Sequence, residues 1–335
     1  MKKALFYTTD GSTVTCGLCQ HRCLVRPGRR GRCGVRENRD GELYSLVYGK
    51  VAAEQTDPVE KKPLFHFLPG SLTFSLATVG CNFSCLHCQN HTLSQTAPEN
   101  SRFRVREPEE IVGIARTCGC RSISYTYVEP TVFFEFAYDC SVAAHRAGLK
   151  NIFVSNGFIS SDALSMLVPV LDGINIDIKS CENSFYQDVC GGGPYGFDHI
   201  LDTVRQFYAR GVWVEVTTLL IPGVNDSDDE LRSIARYLAT ISRDIPWHVS
   251  AFRPAYRMMD RSSTSASSLL RARMLGFAEG LRYVYTGNVR NEGGEDTACP
   301  ECRKQLVHRV GFRVVENLLS SEFCPFCGSK IAGYW

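Results

Sequence analysis

The sequence has almost no net charge, 37 Lys and Arg residues standing against 35 Asp and Glu for a formal +2. That balance gives no global basic field, so composition makes no case for nucleic acid or an anionic membrane surface. Long apolar runs are missing as well, and no stretch approaches the roughly 18 residues of a spanning helix. The basic start Met1-Lys2-Lys3 is followed by Ala4-Leu5-Phe6-Tyr7 and then by Thr8-Thr9-Asp10-Gly11. That apolar piece is too short for a secretory signal, so a secreted disulfide scaffold is not expected. Tandem repeats are absent, and the only linker-like stretch is the Ser-rich Arg261–Ser268. Gly191-Gly192-Gly193 and Gly293-Gly294 are not phosphate loops, since neither leads into Lys-Ser/Thr.

Cysteine is abundant, with 16 copies in 335 residues of otherwise ordinary globular composition. So many thiols in a large chain of the reducing cytoplasm point to bound metal. Eleven of them fall into three groups. Cys16, Cys19, Cys23 and Cys33 lie near the start, and Cys81, Cys85 and Cys88 form a C-x3-C-x2-C triplet. Cys299, Cys302, Cys324 and Cys327 make two C-x2-C pairs near the end. Cys118, Cys120, Cys140, Cys181 and Cys190 are scattered.

Between the triplet and the last group, strand and helix patterns alternate. Strands are expected over Leu72–Val79, Ser122–Val128, Asn151–Ser155, Ile174–Ile178, Val212–Ile221, Trp247–Phe252 and Leu281–Tyr285. Helices are expected over Pro108–Thr117, from a cap at Thr131 to about Ala147, then over Ser161–Leu171, His199–Ala209, Asp226–Thr240 and Ser268–Glu279. Apolar strands joined by helical crossovers imply a parallel sheet covered on both faces. A doubly wound sheet and a full or partial (β/α) barrel both fit, and either places chemistry at the C-terminal strand ends.

Three thiolates on the tight loop Cys81-Asn82-Phe83-Ser84-Cys85-Leu86-His87-Cys88 can hold three corners of a [4Fe–4S] cube and leave one iron open. Zinc is the alternative, with His87 or His91 as fourth ligand. The triplet after the first strand of a βα repeat resembles the radical S-adenosylmethionine (SAM) superfamily. Further segments resemble its enzymes related to the activators of pyruvate formate-lyase. These are Cys88-Gln89-Asn90, Leu93-Ser94-Gln95, Tyr125-Thr126-Tyr127-Val128-Glu129-Pro130-Thr131, Ser155-Asn156-Gly157, Asn175-Ile176-Asp177-Ile178-Lys179 and Leu220-Ile221-Pro222-Gly223-Val224-Asn225-Asp226. With Phe252-Arg253-Pro254-Ala255-Tyr256 and the flanking cysteines added, the chain is most similar to the radical SAM enzymes of the AmmeMemoRadiSam system.

The resemblance implies an α/β fold, a partial (β/α)6 TIM-like barrel over residues 67–290. It is flanked by a cysteine-rich metal-binding segment, 1–66, and a zinc-ribbon module, 291–335. It further implies reductive cleavage of SAM to methionine and a 5′-deoxyadenosyl radical, which abstracts hydrogen from, or adds to, a small-molecule or protein substrate. A one-electron donor such as flavodoxin or ferredoxin would supply the reducing equivalent. Glu129 would hold the SAM ammonium, although a helix-terminal acid favoured by the dipole is the plainer reading. Relatives usually carry Asn where Val128 stands. Ser155, Asn156, Asp177 and Lys179 would line the ribose and carboxylate, with a monovalent cation near Asp177 as an option. Asn175, Asp177 and Lys179 share one face by strand period, and a bracing Asp–Lys pair is the alternative. Arg253 stands where relatives more often have His, and His87 where an aromatic packs near adenine. His248 reads as a satisfied core histidine. Cys190, beside the glycine triplet, is a candidate hydrogen-atom donor or a plain buried thiol.

The paired knuckles Cys299-Pro300-Glu301-Cys302 and Cys324-Pro325-Phe326-Cys327 predict a four-thiolate zinc site, with rubredoxin-type iron using the same ligands. Strands are expected at Leu306-Val307 and Val314-Val315, and the metal would provide the module's folding energy. The spacing of Cys16, Cys19, Cys23 and Cys33 leaves zinc, which is preferred, and an auxiliary iron–sulfur cluster both open. Arg22, Arg26, Arg29, Arg30, Arg32, Arg36 and Arg39 are expected to form a solvated basic face. Without aromatic interleaving, that run gives RNA little support. Two further readings stay open: an activase acting on a partner's glycine, and a non-enzymatic zinc scaffold.

Overall fold

The fold comes from a computed structural model that describes residues 1–289 and 293–335; the expected boundary at 290/291 lies outside the described residues. Eight strands form the central sheet. They are β1 (Ala53–Pro58), β2 (Leu72–Ala77), β3 (Ser122–Tyr125), β4 (Lys150–Ser155), β5 (Gly173–Asp177), β6 (Trp213–Leu220), β7 (Trp247–Ala251) and β8 (Val284–Gly287). Neighbours in sequence are neighbours in space, and β2 to β8 run parallel. Strand β1 pairs antiparallel with β2. The sheet ends at β1 and β8 without closing, so the fold is an open (β/α) barrel of the expected kind.

Six principal helices cover it: α1 (Pro108–Thr117), α2 (Phe134–Arg146), α3 (Ser161–Leu167), α4 (Gly196–Ala209), α5 (Asp228–Ile241) and α6 (Ala266–Ala278). Ser160, Ser227 and Ser265 cap α3, α5 and α6 by accepting backbone N–H bonds from Ala163, Glu230 and Ser268. Strand residues are buried on both faces (all four of β3, all five of β7), which is why they read as apolar runs rather than alternating ones. Thr131 is not the cap of α2. Pro130–Phe133 form a short 3-10 turn that Glu129 caps, because the proline fixes the turn's entry, and α2 begins at Phe134. The closing strand starts at Val284 rather than Leu281, since its ladder begins at the Trp247–Val284 pair.

Strand β1 carries no alternation that would have announced it. The residues before it form two small antiparallel sheets. The arginine run is not one solvated face: Arg36 is fully buried and its Nη1 donates to Glu135 on α2 at 2.8 Å, while Arg30 pairs with Glu37 and Glu99. A buried guanidinium needs such a partner, and α2 supplies it. At the other end, Thr297–Ala298, Gln305–Val310 and Arg313–Asn317 form a three-stranded antiparallel ribbon. It packs between the two free edges of the sheet. The Tyr285 hydroxyl on β8 meets Thr297 at 2.9 Å, and Arg309 reaches Glu60, just beyond β1, at 3.7 Å.

Glu215 on β6 organises the opposite end of the barrel from the triplet. Its carboxylate accepts bonds from His248 (2.6 Å), the Trp213 indole (3.0 Å) and the backbone N–H groups of Phe65 (3.0 Å) and His66 (2.8 Å). His248 is thus a satisfied core residue, as its place within a strand suggests. His66 donates from Nδ1 to the Ala332 carbonyl at 2.6 Å, and its Nε2 accepts the Tyr285 hydroxyl at 2.5 Å. Burial, against the pull of Glu215, lowers its pKa from 6.5 to about 4. The unfolded chain therefore binds an extra proton first, so stability is full above pH 6.5 and falls between there and about 4. Denaturant titrations across that window are expected to show this loss, and His66→Gln should flatten the slope by up to about 1.4 kcal/mol per pH unit. An unchanged slope in the variant would contradict the assignment.

Candidate functional site

Strand β2 delivers the Cys81–Cys88 loop to the C-terminal end of the sheet. Two backbone bonds clamp it to the segment after β5: Ser84 N–H to Cys190 O at 2.8 Å and Leu86 N–H to Val189 O at 2.9 Å. Gly191, at φ +63°, passes so close to Ser84 that a side chain there would collide with it. Within the loop, Phe83 N–H points at Cys81 Sγ (3.4 Å), and the Cys88 thiol lies 3.3 Å from the Ser94 hydroxyl. The Cys190 thiol is fully buried within bonding reach of Cys85.

The strand ends bring the expected polar residues together. Glu129 is buried, and its two oxygens accept from Thr131 N (3.1 Å) and Oγ1 (2.6 Å), Ser155 Oγ (2.8 Å) and Asn156 N (2.7 Å). Burial raises its pKa, although each of those donors favours the charged form. Asn156 in turn donates from Nδ2 to Asn82 Oδ1 at 2.7 Å, tying this network to the cysteine loop. Asp177 ends β5, and Lys179 just beyond it makes a 2.7 Å ion pair with it. Burial works against the Lys179 ammonium, yet Asp177, Cys85 and Cys190 together hold its pKa well above the usual lysine value. His87 is buried near Phe185; burial and the Lys179 charge push its pKa down to about 3, so the ring is neutral. Its Nδ1 has no partner among the described residues. Asn175 points elsewhere, donating to the Pro63 carbonyl at 2.8 Å.

Arg253 stands apart from this network. It is exposed on a cleft of about 960 Å³ whose lining includes Gln89, Ala251, Asn288 and the ribbon's hairpin tip, Val310–Phe312. Several contributors carried no local sign in the sequence. Tyr127 adopts φ +65° at the end of β3; its hydroxyl donates to Asp57 on β1 at 2.6 Å, and its carbonyl accepts from Asn90 at 2.8 Å. Asp57 also holds Lys62 at 2.7 Å. Of these residues, Tyr127 and Asn90 lie within the motif segments of the sequence, whereas Asp57 and Lys62 carry no such sign.

Among the described residues, one cysteine group gathers at single-ion spacing: Cys299, Cys302, Cys324 and Cys327, with ligand atoms all within 4.8 Å of one another. Their Sγ atoms approach to 3.6 Å (Cys299–Cys327) and 3.8 Å (Cys302–Cys324). Four thiolates about 2.3 Å from a tetrahedral zinc stand about 3.8 Å apart, so this donor set fits zinc. Among the described residues, the triplet does not gather at that spacing with His87 or His91.

The family model for the radical SAM superfamily matches residues 75–237, which contain the triplet and run from within β2 into α5. Over its length the chain is 43% identical to an uncharacterized protein of Methanocaldococcus jannaschii, the match covering 99% of each. The chain belongs to the radical SAM superfamily. It is also 24% identical to the mitochondrial GTP 3′,8-cyclase of Arabidopsis thaliana, over 65% of this chain and 60% of that one. Two radical SAM folds are similar. Streptococcus suis SuiB bound to S-adenosylmethionine aligns at TM-score 0.51 and 15% identity, covering 69% of this chain and 53% of that one. A radical SAM methyltransferase from Sphaerobacter thermophilus aligns at 0.51 and 16%, covering 67% and 68%. No helix among the described residues is long and apolar enough to cross a membrane.

One backbone position locks the Cys81–Cys88 loop to the N-terminal segment. Gly80, at φ +93°, has no room for a Cβ, which would lie 2.5 Å from Val35 and 2.8 Å from the Cys33 carbonyl. Gly80→Ala should cost about 2–4 kcal/mol through strain and overpacking, read as a fall in Tm. Gly211→Ala makes the matching control, since it shares a positive φ with nothing within 4 Å. Equal losses in both would show that backbone strain alone matters and that the contact with Cys33 does not.

Proposed function

We propose that this chain is a SAM-cleaving enzyme in which Cys81, Cys85 and Cys88 hold a [4Fe–4S] cluster with one open iron. The observation that carries the reading is the three-thiol loop at the C-terminal end of the sheet, tied through Asn82 and Asn156 to the buried Glu129 carboxylate. When bound and reduced, such a cluster supplies one electron to the SAM sulfonium, giving methionine and a 5′-deoxyadenosyl radical. The chain's own groups do the rest. Glu129, fixed by four donors, faces the SAM ammonium, with Ser155 and Asn156 beside it. The Lys179 ammonium, oriented by Asp177, meets the SAM carboxylate and offsets the thiolate charge. The neutral His87 ring stacks near the adenine, and the buried Cys190 is the candidate donor of a hydrogen atom to a substrate radical.

Substrate enters through the cleft beside Gln89, which Arg253 and the ribbon's hairpin tip also line. The ribbon binds zinc and serves structure, and a flavodoxin- or ferredoxin-type donor delivers the electron. Similarity to the pyruvate formate-lyase activators and to the AmmeMemoRadiSam enzymes supports this class of chemistry and leaves the substrate to experiment. Anaerobically reconstituted, reduced protein should convert SAM to deoxyadenosine. Cys81→Ala should lower that rate at least about 100-fold, while replacing the exposed Cys118 should leave it unchanged. Cleavage that survives Cys81→Ala would overturn the proposal.

A further inference from the structure

The N-terminal cysteines form a further group of thiols, and the ribbon provides an internal standard for judging it. Cys16 ends the strand Thr13–Cys16, and Cys16, Cys19, Cys23 and Cys33 all line one pocket. Backbone bonds fold them around it: Cys16 N–H to Cys23 O at 2.9 Å, and Arg32 N–H toward Cys23 Sγ at 3.5 Å. Among the described residues these four thiols do not gather within 4.8 Å, whereas the ribbon's four do. One fold therefore holds one thiol set at the spacing of a single ion and another set wider than that.

Two polar atoms in the pocket wall need an acceptor. Arg36 spends Nη1 on Glu135 and Nη2 on the Leu5 carbonyl (2.6 Å), but its buried Nε has no partner. Asn82 Nδ2 is likewise buried and unpartnered, while its Oδ1 is taken by Asn156. Both residues line the pocket. Leaving buried N–H groups unsatisfied costs about 1–3 kcal/mol each, and sulfur atoms of a bound group would relieve it. The Arg36 guanidinium also brings a fixed positive charge beside Cys16 and Cys33.

We propose that Cys16, Cys19, Cys23 and Cys33 hold a second [4Fe–4S] cluster, with Arg36 Nε and Asn82 Nδ2 donating to its sulfur atoms. Four thiolates close all four iron positions, so this cluster binds neither SAM nor substrate and serves electron transfer. Its place suits that role. The pocket shares Asn82 with the Cys81 loop, His21 Nε2 bonds the Asn82 carbonyl at 2.7 Å, and Cys33 abuts Gly80. Held there, the group would take one electron from a reduced flavodoxin- or ferredoxin-type donor and would pass that electron on to a cluster on the Cys81 loop.

The inference rests on the proposed function only for that last step, and its test is independent of SAM cleavage. In the full chain, Cys81→Ala/Cys85→Ala/Cys88→Ala removes the loop's ligands and leaves the N-terminal four intact. After anaerobic reconstitution this variant should retain about four irons and about four sulfides. It should retain about one zinc. Its dithionite-reduced EPR signal should not change on adding SAM. Iron-free protein, with a second zinc or with none, would overturn the proposal. If the triple variant does not fold, total iron in the unaltered chain decides instead: about eight per chain supports a second cluster and about four contradicts it.

Discussion

A parallel sheet that stops short of closing leaves two strand edges and an open flank, and the rest of this molecule answers that constraint. Exposed edges invite pairing with other chains and let water reach the interior. Here β1 adds an antiparallel strand on one side, and the ribbon seats itself between β1 and β8. Segment 63–68 and the last residues join beneath the sheet, where Leu68 N–H meets Tyr334 O and Tyr334 N–H meets His66 O, both at 2.6 Å. Glu215 gathers that floor from within by holding the backbone of Phe65 and His66. The ribbon and its cysteine group are therefore structural parts of the body that covers these edges.

The same openness shapes the mouth. Strand ends in a parallel sheet leave backbone groups and loops free to converge, and here they converge on thiols and charge. The Cys81 loop is clamped on one side by the segment after β5 and on the other by the N-terminal segment at Gly80. Asn82 sits where the three meet. It links the strand-end network through Asn156 and faces the pocket of the N-terminal cysteines. A loop so constrained holds its three thiols in a fixed arrangement, as the proposed exchange of SAM and product would require.

Much of this was legible in the chain itself, because the informative signals are local. The seven parallel strands, the six helices, the triplet's place after the first of those strands, and the ribbon's two longer strands followed from periodicity, most capping residues and cysteine spacing. What was hidden was long-range. Strand β1 reads Ala53-Glu54-Gln55-Thr56-Asp57-Pro58, polar residues whose strand geometry comes only from pairing with β2. Arg36 looked like one of seven solvated arginines, yet its burial depends on Glu135, 99 residues away. Glu215 shows the same limit: an acid inside an apolar strand is a puzzle until His248 and the Phe65–His66 backbone arrive to meet it. Local pattern identifies elements and metal-ligand spacing, whereas the partners of buried charge are set by topology.

The central claim is that a cluster on the Cys81 loop presents an open iron to SAM. Electron–nuclear double resonance on the reduced, cluster-loaded chain, with SAM isotopically labelled at its amino nitrogen, tests this most directly. The account predicts a hyperfine coupling between the labelled nitrogen and the cluster's unpaired electron, lost in Cys81→Ala. A cluster signal with no such coupling, in protein shown to have SAM bound, would contradict it.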